Sequence, residues 1–547
     1  MSSSINSSSV FTKMLVWICF FISCYLADSY EGLWYDSSAY TKCQEHPEAP
    51  LYNGGILKEW SQKIESGYRL ENLSQDTKYS FSCWIKIKGA NSAVIRARIS
   101  TDNSTSSCIG SVIAKRSCWS FLKAQSSREE TIEILAASAS LQPFTDQQWR
   151  MHQEYRIKTK RKRTATIHVV DAMGQRLQGA LIAVRQISTN FPFGSAIAKT
   201  ILGNARYQRT MSWLTIIALN LLQKWFVKRF NAAVFENELK WYATEHDQGK
   251  VNYTLADQLT SFTRANQIRV RGHNIFWDDP MYTPGWVLNL TNAELHKAAE
   301  SRILSVVNRY KGEFIHWDVN NELLHFHFYE QRLGPNANLR FFERVQREDP
   351  RTTLFLNDFN VIETCDDLNS TVDAYISKVE ELRRGGAAMG GIGLEGHFSK
   401  PNIPLMRAVL DKLGRLGLPI WLTEIDINSN FDQHTQAAYL EEVLREGFSH
   451  PNVNGIMLWT ALHRYGCYQM CLTDNNFHNL PAGDVVDKLL REWRTGVLRG
   501  KTDAHGSYTF DGFLGEYEVY VKHRNKLAKT TLFLQQGYET GHFYIQL

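Results

Sequence analysis

The sequence lacks several patterns that would assign it quickly to a functional class. Its 61 Lys and Arg against 56 Asp and Glu give a net charge of +5 over 547 residues, without the concentrated basic surface of a nucleic-acid binder. No Cys-x-x-Cys pair faces a second pair or two histidines at zinc spacing, and no Gly-rich loop is placed to hold a phosphate. We therefore expect no nucleic-acid partner, no metal and no cofactor.

The sequence also has few long apolar runs. Residues 14–27 (MLVWICFFISCYLA) follow Lys13 in a Ser-rich start, which is typical of a secretory signal peptide. A membrane anchor is the alternative, but 14 residues fall short of the ~20 that span a bilayer. We expect residues 1–27 to be removed, and the mature chain to be secreted and free of the membrane.

Cysteines and glycosylation motifs fit an extracellular protein. Seven cysteines follow residue 27, so at least one thiol is unpaired while the others are disulfides or core residues; they are Cys43, Cys83, Cys108, Cys118, Cys365, Cys467 and Cys471. Asn-x-Ser/Thr motifs, which accept N-glycans, occur at Asn72, Asn103, Asn252, Asn289 and Asn369. The sequence therefore predicts a glycoprotein in an oxidising compartment.

The length and the 43% hydrophobic content predict two or three globular domains. Residues 28–146 contain short β-like runs broken by Gly, Asn and Ser, a pattern that indicates a β-sandwich. Residues 147–190 are predicted to be a basic linker followed by a β-hairpin. Residues 191–498 are assigned to a catalytic domain, and residues 499–547 to a C-terminal β extension packed on it.

Residues 191–498 alternate eight β-like runs with long amphipathic segments. The runs are FGSAI, FNAAVF, IRVRGHNIF, FIHWDVN, TLFLND, GIGLEGH, PIWLTEI and GIMLW. One amphipathic segment, residues 405–416, places its apolar residues on a single helical face, and Thr291 and Glu294 form a capping box before another. Eight strand–helix units predict a (β/α)₈ TIM barrel, whose chemistry lies at the C-terminal ends of its strands.

Two glutamates stand at such strand ends. Glu322 closes the run WDVNNE after the fourth strand, and Glu424 lies in LTEID in the seventh. A single Glu at a strand end is more often a solvated or salt-bridged group. In a closed barrel, however, these two carboxyls can face one another, and a facing pair suits glycoside hydrolysis: one protonates the leaving oxygen while the other attacks or activates water.

Other strand ends carry groups that suit a sugar. Aromatic rings stack on the apolar face of a pyranose, and Asn, Lys and His donate to hydroxyls. Glu424 and Asp426, two residues apart, should share a face near His397, which would keep Glu424 ionised. The further candidates are Glu236, Asn237, Lys240, Trp241, His273, Trp277 and Trp459.

A series of strings from about Ile167 onwards resembles glycoside hydrolase family 10, and in particular its secreted plant endo-1,4-β-xylanases. They include RFNAAVFENELKWYATE, RGHNIFWDDP, WDVNNELLHF, GIGLEGHF and LPIWLTEIDI. The more weakly matching region from Tyr30 to Phe144, with Trp60, Trp84 and Trp119, resembles the family 22 carbohydrate-binding module that commonly precedes such barrels. The resemblance implies a monomeric endo-hydrolase of β-1,4-xylosidic bonds in cell-wall xylan.

The resemblance also implies roles for individual residues. Glu322 is similar to the general acid/base and Glu424 to the nucleophile of a retaining double displacement, and Asn321 resembles the residue that holds the sugar's 2-hydroxyl. His397 and Asp426 resemble the support of the nucleophile, and Trp459 the aromatic wall beside the reacting ring. The positions that resemble sugar-subsite residues are Glu236, Asn237, Lys240, His273 and Trp277.

Four features depart from that family pattern. Asn320 replaces the usual Val before Asn-Glu, Glu395 stands where many relatives carry Gln, and the segment after Trp459 offers His463 and Tyr465 in place of a second Trp. An apolar insertion at residues 209–223 suggests an unremoved intron or a mistaken gene model. Two alternatives to hydrolysis stay open: a xylan transglycosylase, and a catalytically idle xylan-binding wall protein.

Overall fold

The computed structural model describes residues 33–53, 77–99, 107–123, 133–202, 222–459, 467–474 and 476–547. The predicted signal peptide, most of the apolar insertion, Trp60, the motifs at Asn72 and Asn103, and residues His463 and Tyr465 lie outside these ranges. Within them, no helix is both long enough and apolar enough to cross a membrane.

The N-terminal region is β-rich, as its short alternating runs predict. Its strands are β1 (Thr77–Lys88), β2 (Ser92–Ile99), β3 (Ser107–Lys115), β4 (Ser120–Leu122) and β5 (Glu133–Thr145). A three-stranded sheet of order β4-β1-β5 and the β2–β3 pair share one apolar core. Phe81, Ile85 and Ile87 from β1 pack there against Ile95 and Val112.

The stretch interpreted as a linker is a helix over most of its length, from Asp146 to Arg161. Thr145 caps its first turn in a capping box with Gln148. Trp149 and Gln153 are buried, and each donates a 2.9 Å hydrogen bond to Glu446. The basic residues of this segment lie on the rest of the helix surface. Because they dominate the sequence, the segment was interpreted as a linker and its buried face was not recognised.

The predicted TIM barrel is confirmed. Two strands, β6 (Lys162–Val170) and β7 (Leu181–Thr189), precede it in the chain. Its closed parallel sheet has the order β10-β12-β14-β15-β16-β17-β8-β9. The barrel strands are β8 (Phe193–Ile197), β9 (Ala232–Phe235), β10 (Arg269–Gly272), β12 (Phe314–Asp318), β14 (Thr353–Asp358), β15 (Met389–Phe398), β16 (Ile420–Ile427) and β17 (Val453–Leu458). The short strands β11 (Phe276–Trp277) and β13 (Asn320–Asn321) pair beside it.

Amphipathic helices surround the barrel, and their apolar faces are buried against the strands. The helix at 292–309 begins after Thr291, whose capping box with Glu294 is present as predicted. The longer helices are Thr254–Ala265, Asn292–Arg309, Ala337–Glu348, Val372–Arg384, Ile403–Gly414, Gln433–Ser449 and Pro481–Glu492. The shorter helical turns are Lys199–Leu202, Trp241–Thr244, Pro280–Tyr282, Gly285–Leu288 and Phe328–Leu333.

The C-terminal strands complete a second sandwich. They are β18 (Leu498–Lys501), β19 (Ser507–Phe513), β20 (Gly515–His523), β21 (Lys526–Leu534) and β22 (Gly541–Gln546). One sheet has the order β18-β7-β20-β21 and the other β19-β6-β22. The hairpin prediction was therefore wrong in its pairing, since β6 and β7 enter different sheets. The C-terminal segment completes a domain that begins before the barrel, and the barrel is inserted within it.

Three disulfides account for six of the seven cysteines that follow residue 27. Cys43 pairs with Cys118 within the N-terminal region, Cys108 with Cys365 in the barrel domain, and Cys467 with Cys471. Cys83 is the unpaired thiol that the odd count required, and it is buried. The Cys108–Cys365 bond ties the N-terminal region to the loop that follows β14.

Candidate active site

Glu322 follows β12 and β13 at the C-terminal face of the barrel. Its backbone adopts a left-handed conformation with φ of 58°, which non-glycine residues rarely take and which concentrates at functional sites. Its backbone N–H donates to the carbonyl of Asn357 at 3.0 Å, and Trp277 Nε1 donates to its Oε2 at 2.8 Å. The backbone of Glu322 is therefore fixed by the end of β14, and its carboxyl by Trp277 of β11.

Burial gives Glu322 the properties of an acid. The residue is 8% exposed, and loss of solvent raises its pKa to about 8, against a partial lowering by the Trp277 hydrogen bond. The nearby charges of Asp358 and Glu424 raise the pKa further. A carboxyl with this pKa carries a proton at neutral pH, as a group that must protonate a leaving oxygen requires.

Glu424 lies on β16 among cationic and amide groups. Its Oε2 is 3.5 Å from His397 Nε2, its Oε1 is 3.8 Å from His273 Nε2, and Asn357 Nδ2 donates to Oε1 at 3.4 Å. Burial alone would raise the pKa of Glu424, but the His397 contact and the charges of His273 and Lys240 bring it below its ordinary value. The carboxylate is therefore ionised and poised as a nucleophile or base.

The β15–β16 register brings together the groups around Glu424. Glu395 lies opposite Glu424, and His397 opposite Asp426. His397 Nδ1 is 3.1 Å from Asp426 Oδ2, and its Nε2 is 3.6 Å from Glu395 Oε2. Burial alone would lower the pKa of His397, but these carboxyls raise it well above its ordinary value. The imidazole is therefore a cation beside Glu424.

A chain of amide hydrogen bonds links the two glutamates. Asn321 Nδ2 donates to Glu322 Oε1 at 3.3 Å, and Asn357 Nδ2 donates to Asn321 Oδ1 at 2.9 Å as well as to Glu424. Thr423 Oγ1 donates to Asn357 Oδ1 at 2.6 Å, which fixes the orientation of that amide. The two carboxyls therefore face the same cleft, joined by two side chains.

Aromatic rings and a buried lysine form a wall of the same cleft. Lys240 Nζ lies 4.5 Å from the centre of the Trp277 ring and 5.7 Å from that of Trp459. His273 meets the edge of Trp459 at 5.6 Å, and Tyr282 stacks on Trp277 at 3.9 Å. Burial lowers the pKa of Lys240. Flat rings beside donor groups are suited to a pyranose.

Glu236 and Asn237 follow β9 beside this wall, and both are partly buried. The backbone N–H of Glu236 donates to the carbonyl of Ile197 at 2.9 Å. Asn237 Oδ1 accepts from Tyr242 at 2.8 Å and from Lys240 Nζ at 3.5 Å. The sequence-predicted subsite residues thus gather along the ends of β8, β9 and β10. Trp241 is buried against Phe276 and Trp286, which makes it a packing residue.

Sequence reasoning missed Asn357, which connects the two glutamates, and a network behind Glu322. His325 Nδ1 is 2.5 Å from Asp358 Oδ1, and its Nε2 is 2.9 Å from Asp367 Oδ2. Despite burial, these contacts raise the pKa of His325 to about 9. Asn357 and Asp358 end the strand run TLFLND, and that position at the C-terminal face was the signal available.

Asn320, one of the departures from the family pattern, points away from the cleft. Its Nδ2 donates to Asn338 Oδ1 at 2.7 Å, and both residues are fully buried. Asn338 belongs to the outer helix Ala337–Glu348. The polar residue at this position therefore contacts the outer helix and leaves Glu322 to its contacts with Trp277 and Asn321.

Three groups in the cleft are compact enough to hold a cation. Glu395, His397 and Glu424 each offer a ligand atom, and these atoms lie within 4.8 Å of one another. The atoms of Glu395 and Glu424 already contact His397 and the amide of Asn357. The contacts within the cluster explain its arrangement without a metal.

The two titrating glutamates predict a bell-shaped pH profile. An acid role for Glu322 requires its protonated form, and in that role kcat/KM should fall as the pH rises through about 8. A nucleophile role for Glu424 requires its ionised form, and in that role activity should be retained on acidification until the pH falls below the ordinary carboxyl range. Initial rates on a soluble oligosaccharide between pH 3 and 10 would measure both limbs. An alkaline limb near the ordinary pKa of Glu would contradict the assignment of Glu322.

Known proteins resemble this chain over most of its length. The family model for glycosyl hydrolase family 10 matches residues 190–487. Endo-1,4-beta-xylanase 5 of Arabidopsis thaliana is 34% identical over 499 residues, covering 87% of this chain and 83% of the relative. Endo-1,4-beta-xylanase 4 of the same plant is 34% identical over 486 residues, covering 84% and 82%.

A solved structure also matches the chain. The crystal structure of xylanase 10B from Thermotoga petrophila RKU-1 in complex with xylobiose covers 55% of this chain and 94% of its own, at 22% identity and a TM-score of 0.48.

Proposed function

The chain belongs to glycosyl hydrolase family 10 and is a glycoside hydrolase, and we propose that it is a retaining endo-hydrolase of β-1,4-xylosidic bonds in xylan. One observation carries the mechanism: the cleft holds one carboxyl whose pKa is raised and another whose pKa is lowered, linked by Asn321 and Asn357. Two carboxyls whose pKa values are shifted in opposite directions supply an acid and a nucleophile at the same pH.

In the first step, Glu424 attacks the anomeric carbon while Glu322 gives its proton to the departing glycosidic oxygen. The bond from the anomeric carbon to that oxygen breaks, and an ester bond to Glu424 forms. His397, His273 and Asn357 contact Glu424 and stabilise its charge before the attack. Asn321 lies between the two carboxyls, where it can hold the 2-hydroxyl of the reacting sugar.

In the second step, Glu322 is a carboxylate and takes a proton from water. The water oxygen attacks the anomeric carbon, the ester bond breaks, and Glu424 returns to its ionised form. Two displacements restore the original configuration of the sugar. Trp459 forms the wall beside the reacting ring, and the other subsite contacts come from Glu236, Asn237, Lys240, His273 and Trp277.

The proposal also covers where the protein is located and how it is processed. Three disulfides support a secreted protein, because such bonds persist in oxidising compartments. We place the mature chain in the cell wall as a monomeric glycoprotein, with residues 1–27 removed as a signal peptide. The N-terminal β-rich region is proposed to bind xylan like a family 22 carbohydrate-binding module.

Product stereochemistry tests the proposal directly. Proton NMR of the first turnovers on xylohexaose should show the β-anomer of the new reducing end before mutarotation produces the α-anomer. Initial release of the α-anomer would overturn the retaining mechanism. Longer oligosaccharides in place of reducing ends would indicate transglycosylation, and binding to xylan without any product would indicate an idle barrel.

A further inference from the structure

A large crevice lies between the barrel and the second sandwich, far from the catalytic face. It has a volume of about 910 Å³, which is at the upper end of the range for ligand pockets. Its walls include the N-terminal ends of β8 and β10, the end of β7, the turn between β19 and β20, and the helix Pro481–Glu492. The catalytic glutamates stand at the other ends of the barrel strands.

The crevice concentrates positive charge. Eight Lys and Arg residues line it against two acidic residues, Asp487 and Glu516, whereas the whole chain carries a formal charge of only +5. A concave surface lined by one sign of charge focuses its potential and attracts ligands of the opposite sign. The crevice is therefore suited to an anion.

Some of these cations already form hydrogen bonds or ion pairs within the protein. Arg161 donates to the carbonyls of Phe448, His450 and Val453, and Arg229 forms a two-point ion pair with Asp487. These contacts hold the walls together and leave little of either guanidinium for a ligand.

Arg185 also lines the crevice and pairs with Glu518 at 2.5 Å, whereas several of the remaining cations are available. Lys228 and Arg494 are exposed and have no carboxylate partner within the described parts of the chain. Arg491 is exposed too, and its charge acts on Asp487. Arg269 is exposed as well, and its Nη1 donates to the carbonyl of Asn190. These groups come from separate segments and face one space, so a multivalent anion could contact several of them together.

The rest of the lining suits a sugar. Exposed side-chain amides line the crevice and can both donate to and accept from hydroxyl groups; they include Asn190, Gln267, Asn454 and Gln536. Val227 is 37% exposed and Val497 55% exposed, which offers apolar contact between the polar groups. Charge, amides and apolar patches together match a ligand that has carboxylates, hydroxyls and C–H faces.

We propose that this crevice binds a uronate-bearing oligosaccharide, that is, an acidic glycan segment, at a site separate from the catalytic cleft. Carboxylates spaced along a sugar chain would meet Lys228, Arg269 and Arg494, while the amides contact hydroxyls. The site would anchor the enzyme on acidic wall polysaccharide and leave the cleft free.

Calorimetric titration of the full chain with trigalacturonate tests the proposal. This probe is acidic and is not a β-1,4-xylan, so the result does not depend on the proposed hydrolysis. We expect saturable binding at low ionic strength that is lost at 0.5 M NaCl. The double variant Lys228→Glu/Arg494→Glu should weaken binding about tenfold or more, while xylan hydrolysis by the same variant stays unchanged.

A matched variant controls for general charge. Lys311→Glu/Lys522→Glu makes the same charge change at two exposed residues outside the crevice and should bind trigalacturonate like the native chain. The proposal is overturned if no saturable binding is seen, if both double variants weaken it equally, or if xylohexaose displaces the probe. Tighter binding of an oligonucleotide of equal charge would also overturn the proposal, because the site would then select its ligands by charge alone.

Discussion

Replacing Glu424 with Ala is expected to reduce kcat on xylan by on the order of 10⁴-fold or more, because the attacking atom is lost. Added azide should restore turnover, since a small anion can occupy the vacated space beside His397 and attack the anomeric carbon directly. A single displacement inverts the sugar, so the rescued product should be the α-glycosyl azide. Kinetics with and without azide, followed by NMR of the product, would measure this.

The control for this experiment is Glu381→Ala. Glu381 is exposed on the outer helix Val372–Arg384 and pairs with Lys378 on the same helix, so native turnover is expected. Circular dichroism of both variants would establish that they fold equally. Native activity of Glu424→Ala, or an azide product of β configuration, would remove Glu424 from the role of nucleophile.

Replacing Glu322 with Ala should separate substrates by their leaving groups. Hydrolysis of xylan, whose leaving group needs a proton, should fall by about 10² to 10⁴-fold in kcat/KM. An aryl xylobioside with a dinitrophenolate leaving group needs no proton in the first step, so formation of its glycosyl-enzyme should be nearly unimpaired. The alkaline limb near pH 8 should disappear with that substrate.

Pre-steady-state kinetics would detect the burst of dinitrophenolate that this predicts. Glu322→Gln is the matched variant, because it keeps the size of the side chain and one oxygen that can accept from Trp277 or Asn321, without a titrating group. Equal losses on xylan and on the activated substrate would show that Glu322 positions the sugar and does not act as the acid.

The parts of the fold that the sequence predicted are those with a local signal. Most barrel strands are rich in apolar residues and buried on both faces, such as β16, in which all eight residues are buried, and this pattern is visible without a structure. The strand ends then located Glu322 and Glu424, and the spacing of two placed Asp426 beside Glu424 on one face. Local sequence patterns were thus sufficient to predict most of the barrel and the positions of its acidic residues.

What the sequence could not reveal depends on contacts between distant segments. Asn357 joins the glutamates only because β12, β14 and β16 converge at the barrel mouth, and no local pattern marks an Asn for that. The pairing of β6 with β19 and β22 spans more than 300 residues, so a hairpin was the natural local interpretation. Trp149 in the first helix was hidden among basic residues that face solvent.

The insertion of the barrel within the second sandwich has a consequence for synthesis of the protein. Strands β6 and β7 leave the ribosome roughly 300 residues before β18 to β22, which at ~5–20 residues per second is a delay of roughly 15–60 s. Until translation ends, two apolar strand edges lack their partners on the nascent chain. The enzyme should therefore depend on chaperones during translocation more than a barrel with a self-contained preceding domain.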